Sequence, residues 1–470
     1  MHSKLLNTLA LAALHLLWSG TSLAEPSLDQ ALDGFDEAVA APASSVDEAL
    51  GGFEDAAPAP ASTATPQQAD SPWRLSGATL LSASWSYAHK APASGETDHR
   101  GLSRLRGKLN LELDGQLNET WRTHATGYAF YDAAYAINGR SGYTDEFIAS
   151  MEREAELGEA FVQGRVHSAL DLKLGRQIVV WGKSDSLRVT DVINPLDNRE
   201  PGMVDIEDLR LPLTMARADY YLGEWSFTAL AIPEIRFNKN PALGSDFYPY
   251  TTPLPREITP SDGGGNTEYA FAASGLFSGW DLSLYWARLY DDTPHAVMVG
   301  GAPQLQHSRL TMGGLAANVA LGNWLVKGET ARFSGIEYSG STSAYTRNDI
   351  MLGTDYSGFA DTTLSLEVVN RSIGDYDTAL HNAGIAEEEW QTAARYQGDF
   401  MHARLHLIAL FSAYGKQLDE GGFTRLSAAY DLADALSLTG GIISYRGGDK
   451  FPFAAIADND RIFAELKYSF

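Results

Sequence analysis

From Trp73 to the C-terminus the chain alternates apolar and polar residues with a period of two. Leu81, Ala83, Trp85 and Tyr87 are interleaved with Ser82, Ser84 and Ser86. Leu105, Leu109, Leu111 and Leu113 alternate with Arg104, Arg106, Lys108, Asn110, Glu112 and Asp114. At the end of the chain Ile462, Ala464, Leu466, Tyr468 and Phe470 alternate with Phe463, Glu465, Lys467 and Ser469. Successive side chains of a strand point to opposite faces, so this spacing predicts strands with one apolar and one polar face. Eighteen such segments can be read, near 73–88, 101–114, 119–134, 158–168, 170–181, 212–222, 224–233, 266–276, 280–290, 304–319, 322–337, 345–356, 362–373, 388–399, 402–414, 421–432, 435–446 and 460–470.

The gaps between segments carry a second signal. Asp114 to Asn118, Ser168-Ala169, Leu222-Gly223, Ser278-Gly279, Leu321-Gly322, Phe400-Met401 and Ala433-Asp434 leave room only for tight turns. The intervening gaps, among them 89–100, 135–157, 182–211, 234–265, 291–303, 374–387 and 447–459, are long. Short turns on one side and long loops on the other are the layout of an outer-membrane barrel, and a soluble sandwich has no reason to adopt it. The predicted fold is therefore all-β, a transmembrane antiparallel up-and-down β-barrel of about 18 strands over residues 73–470, with 16 as the nearest alternative. An even strand number places both termini in the periplasm. Trp85, Tyr87, Trp121, Tyr131, Trp280, Trp324, Trp390 and Tyr468 fall near strand ends, where aromatic girdles belong. The closing apolar face, ending in Tyr468 and Phe470, resembles the signal that barrel assembly machinery reads on the last strand. Phe470 should pair beside the strand that begins near Trp73, sealing the sheet against lipid.

The N-terminus agrees with export. Lys4 precedes an apolar run from Leu5 to Trp18, and Ser22-Leu23-Ala24 supplies the small residues of a cleavage site, so residues 1–24 read as a signal peptide. Residues 25–72 carry ten acids and no Lys or Arg, in an Ala-, Pro- and Ser-rich background typical of a disordered tail. Two short repeats, 28–38 and 46–56, lie within it. Leu28, Leu32 and Phe35, and again Val46, Leu50 and Phe53, fall at i, i+4 and i+7, so each repeat can present one apolar helical stripe to a periplasmic partner. The net charge of −25 and the acidic tail argue against nucleic acid. The chain has no cysteine, which excludes disulfides and thiolate metal sites. Nothing in the pattern asks for a cofactor or a metal.

Polar faces turned into a barrel define its lumen. Arg104, Arg106, Lys108, Arg122, Arg165 and Arg217 are predicted there, with acids such as Asp219, Glu329 and Glu367 sharing those faces. Arginine grips carboxylates in a bidentate fork, so this lining suits an anionic solute. Arg104, Arg106 and Lys108, three cations on one strand, form the least compensated cluster. Arg176 falls on the lipid face by phase, and a bulge at Gly175 that turns it inward is expected.

The segment from Glu159 to Glu234 holds Gly175-Arg176-Gln177, Trp181-Gly182, Asp185, Arg188, Asp191, Asn194-Pro195, Asp197 and Arg217-Ala218-Asp219-Tyr220-Tyr221. Together these resemble the outer-membrane family catalogued as domain of unknown function 1302. The resemblance implies a place beside an inner-membrane transporter of the resistance-nodulation type and a periplasmic carrier protein. It further implies export of a lipidic or amphipathic molecule. It carries no catalytic residues. Read physically, 182–211 is too long for a plain connection, so it is expected to fold inward as a constriction built on Trp181, Asp185, Arg188, Asp191, Asn194, Pro195 and Asp197. Asp185 is expected to pair with a lumen arginine. No Gly-x-Ser-x-Gly, His-Glu-x-x-His or P-loop motif is present, which argues against an enzyme. The reading is an outer-membrane conduit in an export assembly; the alternative is a self-sufficient diffusion porin for small anionic solutes.

Overall fold

The computed structural model describes residues 71–93 and 95–470. The expected signal peptide and the two tail repeats lie outside the described residues. Eighteen antiparallel strands form one sheet. Each strand pairs with its sequence neighbours, and the first, Trp73–Ser86, also pairs with the last, Arg461–Ser469. The backbone N–H and carbonyl of Gly77 and Phe470 exchange two hydrogen bonds of 2.9 Å, so the chain end is the closing seam.

Exposure along the strands inverts the pattern of a soluble protein. Leu75 (65%), Leu352 (68%) and Trp324 (49%) are open to the outside, while Lys327 (1%), Glu367 (1%) and Arg461 (2%) are buried. Large apolar side chains belong on an exposed face only where lipid is the solvent, and charges are buried only where they are paired. Even-numbered residues from Arg104 to Asp114 and odd-numbered residues from Lys327 to Phe333 therefore face the lumen.

Strand positions follow the sequence pattern closely, and three departures have clear causes. The strand expected at 158–168 runs over Arg153–His167, because Glu154 and Glu156 continue its inward face. The strand expected at 170–181 ends at Gln177. Val179 and Trp181 leave the wall there to join apolar side chains inside the barrel. The segment expected at 304–319 divides: Arg309–Leu321 is the barrel strand, and Ala302–Gln306 pairs with His295–Val299 and Glu257–Ile258 in a separate three-stranded sheet. The loop after Trp121–Asp132 also carries structure of its own. A helix at Asp145–Met151 is capped by the Thr144 hydroxyl, and its Phe147, Ile148 and Met151 pack with Tyr135.

Arg176 does turn inward, ion-pairing with Glu234 and, at 3.4 Å, with Glu156. Gly175 adopts φ +129°, a conformation other residues resist. The expected bulge is displaced by one strand pair, however, and lies between Ala125 and Gly127 against Arg153–His167.

Candidate functional site

Residues 178–212, between Leu170–Gln177 and Leu213–Leu222, fold into the lumen rather than away from the barrel. Asn194 ties the neck of this loop. Its side-chain oxygen accepts from the Val179 N–H at 2.8 Å, and its amide donates to the Leu211 carbonyl at 2.8 Å. The Pro195 carbonyl accepts from the Leu211 N–H at 2.7 Å, completing the closure.

The first half of the loop is bonded to one side of the wall. Val179, Trp181, Leu187, Val189 and Ile193 pack against Leu230, Ala287, Met312, Phe333 and Met351, which face inward. Trp181 stacks on Tyr285 with ring centroids 4.8 Å apart. Gly182, at φ +91°, opens a backbone nest over Lys183 to Ser186. Glu329 fills one side, accepting from the N–H groups of Lys183, Ser184 (2.8 Å) and Thr190 (3.1 Å) and from the Thr190 hydroxyl (2.8 Å). Glu367 fills the other, accepting from the N–H groups of Asp185 (2.9 Å) and Ser186 (3.1 Å) and from the Ser184 hydroxyl (2.6 Å).

Asp185 pairs with Lys327, not with an arginine as expected. The partner is a lysine because Lys327 already stands between Asp355, at 2.6 Å, and the Glu367 carboxylate. Arg188 binds within the loop, donating to the carbonyls of Asp191 (2.7 Å) and Asn194 (2.9 Å). Asp191 also pairs with Arg210 at 3.0 Å, and Asp197 with Arg199.

The second half of the loop reaches the opposite wall through charge. Glu200 pairs with Arg104 and lies 3.9 Å from both Arg106 and Arg461. Asp205 pairs with Arg425 and, at 3.3 Å, with Arg395. Burial alone would raise the Glu200 carboxyl, but Arg104, Arg106 and Arg461 hold it below the usual carboxylate range.

Arg104, Arg106 and Lys108 were expected to be the least compensated cluster, but the first two find carboxylates. Arg104 takes Glu200 from the loop, and Arg106 takes Asp132 at 3.2 Å beneath the Phe130 ring. A carboxylate delivered from elsewhere in the chain is invisible to a strand-by-strand count. Lys108 sits over the Tyr128 ring at 4.5 Å. Arg217 and Asp219 pair with each other at 2.8 Å. Arg165 pairs with Asp171 at 2.9 Å, with its side chain 64% exposed at the turn-side rim. Arg122 faces the amide of Gln163, whose oxygen, turned toward it, accepts at 2.5 and 2.8 Å. Near the same rim Glu112, Asp114 and His124 bring ligand atoms within 4.8 Å of one another, though Asp114 already engages His124 (2.9 Å) and Arg74 (3.1 Å).

The loop over residues 233–267, read from the sequence only as a long connection, also folds inward. Its Phe247, 1% exposed, packs with Met203 of the first loop and with Ile443, Tyr445, Phe453 and Ile456. Its Asp246 pairs with Arg461 at 2.6 Å and faces His89 at 3.5 Å. Lys239 and Arg236 both reach Glu156. The available signal was a run of aromatics, Phe237, Phe247, Tyr248 and Tyr250, with no periodicity to say which way they turn.

This architecture defines a closed 18-stranded up-and-down barrel with two loops folded into its lumen. The chain belongs to the family described as protein of unknown function (DUF1302), whose profile matches residues 88–470. A search of curated proteins by sequence returns no match. Among solved structures, a BenF-like porin from Pseudomonas fluorescens Pf-5 is similar at TM-score 0.52 and 13% identity, over 86% of this chain and 98% of that one. OccAB3 of Acinetobacter baumannii is similar at TM-score 0.51 and 9% identity, over 85% of this chain and 99% of that one. At such identities the likeness is one of fold.

Proposed function

We propose that the protein is a gated channel of the bacterial outer membrane that passes an amphipathic anion as the outer component of an export assembly. The observation that carries this reading is the division of the lumen wall. One side holds an apolar patch, with Leu230, Ile232, Ala287, Leu289, Met312 and Phe333 facing inward beside the charged cluster of Lys327, Glu329 and Glu367. The other side bears Arg104, Arg106, Arg395, Arg425 and Arg461. The 178–212 loop matches both sides, giving apolar side chains and backbone N–H groups to the first, and to the second the carboxylates of Glu200 and Asp205 with the apolar chain of Met203. A molecule with an acyl body and a carboxylate head has the same complementarity.

In this reading both termini lie in the periplasm, on the side of the short turns. The acidic tail, 25–72, offers Leu28, Leu32, Phe35, Val46, Leu50 and Phe53 to a carrier or to an inner-membrane transporter. Two linked copies would strengthen docking by raising local concentration.

The fold shared with the BenF-like porin favours a second reading, a self-sufficient porin for small anions. Planar-bilayer conductance separates the two. A gated component conducts little alone and opens when the 178–212 loop is removed; steady anion-selective conductance of the intact barrel selects the porin. Deleting residues 25–72 should abolish capture of the periplasmic partner while leaving barrel assembly intact.

A further inference from the structure

We infer that Arg104, Arg106 and Arg461 form a binding site for the carboxylate of an alkyl-chain amphiphile, and that the loop segment Glu200–Met203 occupies it as an internal stand-in. The inference rests on the reading that an amphipathic anion enters this lumen, and it names the place where that molecule is gripped.

The segment has the chemistry of the ligand it replaces. Glu200 supplies a carboxylate to three guanidinium groups from two strands, Gly101–Gln116 and Arg461–Ser469. Three residues on, Met203 inserts its thioether chain among Phe247, Ile443, Tyr445, Phe453 and Ile456. Gly202 between them adopts φ +79°, and a Cβ there would lie 2.9 Å from Ile443 and 3.0 Å from Phe423, so the turn is pressed close to the wall. An anionic head and an apolar chain are thereby held side by side.

The charges are not interchangeable. Arg106 keeps Asp132, and Arg461 keeps Asp246, whatever the loop does. Arg104 has Glu200 as its one ion-pair partner among the described residues. Its Nε is buried with no acceptor at all, so Glu200 leaves part of the guanidinium fork unused. If the loop withdrew alone, Arg104 would lose its one ion-pair partner among the described residues, which costs the site a charge-assisted contact. An incoming carboxylate that replaces Glu200 removes that penalty, and one that also accepts from Nε improves on it. Binding and loop release are thus coupled through one guanidinium.

The test uses the full-length mature protein in nanodiscs, with octanoate as the probe and octyltrimethylammonium as its cationic control. Glu200→Gln should bind octanoate about tenfold more tightly than the wild type or better, the equivalent of one charge-assisted hydrogen bond freed for the ligand. Adding Arg104→Gln should erase the gain, and the cation should show none. Equal octanoate affinity in Glu200→Gln and wild type, or a gain that survives loss of Arg104, overturns the site. A second measurement leaves Glu200 in place: a spin label at Val204→Cys should gain mobility as octanoate is added. An unchanged label at saturating octanoate also overturns the inference. Binding is read without flux, so a barrel that binds octanoate but never conducts refutes the channel reading alone.

Discussion

Asp246 Oδ2 lies 2.6 Å from Arg461 Nη2, so a loop rooted between Trp225–Ile232 and Glu268–Phe277 is fastened to the closing strand of the barrel. Arg461 is 2% exposed and stacks over the Phe247 ring at 4.7 Å. Burial alone would raise the Asp246 carboxyl, but Arg461 and His89 hold it well below the carboxylate range. A buried pair of this kind is costly to break from one side. Arg461→Met should destabilise the folded barrel by about 3–5 kcal/mol in urea unfolding. The double variant Asp246→Leu, Arg461→Met should recover most of that loss. If the double variant is as unstable as the single one, the pair is not the fastening.

Glu329 holds the loop nest through three backbone N–H groups and a hydroxyl. Bonds to a charged acceptor contribute about 1.5–3 kcal/mol each, so Glu329→Ala should free the segment around Lys183 and Arg188. Limited trypsin digestion should cut there in the variant and spare the wild type. Resistance in both would show that apolar packing of Trp181 and Val189 suffices.

The two halves of the 178–212 loop should respond differently to cross-linking. A bis-maleimide bridge between cysteines at positions 185 and 327 joins groups that the fixed half keeps together, so conductance should not change. The same bridge between positions 200 and 104 ties down the charge-held half and should abolish ligand-dependent opening. Equal effects from both bridges would remove the distinction between an anchored and a releasable half.

Asp292, in the loop after Trp280–Tyr290, has its carboxyl pushed up to about 7 by burial, against the pull of Arg188 and with added repulsion from Asp291. The folded state therefore holds a proton between pH 4 and 7 that the unfolded chain releases. Stability contributed at this site is present at low pH and is lost as pH rises through 7. Urea midpoints should be higher at pH 5.5 than at pH 8, and Asp292→Asn should flatten that slope. An identical slope in the variant would assign the pH dependence elsewhere.

Much of this architecture was legible in the residue pattern, for a physical reason. A barrel wall separates lipid from a polar lumen at every residue, so the period of two is written along each strand. Leu109, Leu111 and Leu113 face outward while Arg104, Arg106 and Lys108 face inward, as their spacing implied. Loop contacts obey no such period. Trp181, Asn194 and Asp197 stood out as unusual residues in the sequence, but nothing local named Tyr285, Val179 or Arg199 as their partners.

The sequence by itself determined an up-and-down barrel of about 18 strands, the sealing of Phe470 against the first strand and which charged residues turn inward, because those follow from neighbours along the chain and one solvent boundary. Only the tertiary structure decided which charges meet. Glu200 lies 96 residues from Arg104 in sequence. Closing the sheet into a ring and folding a loop across it is what brings that carboxylate to the arginines.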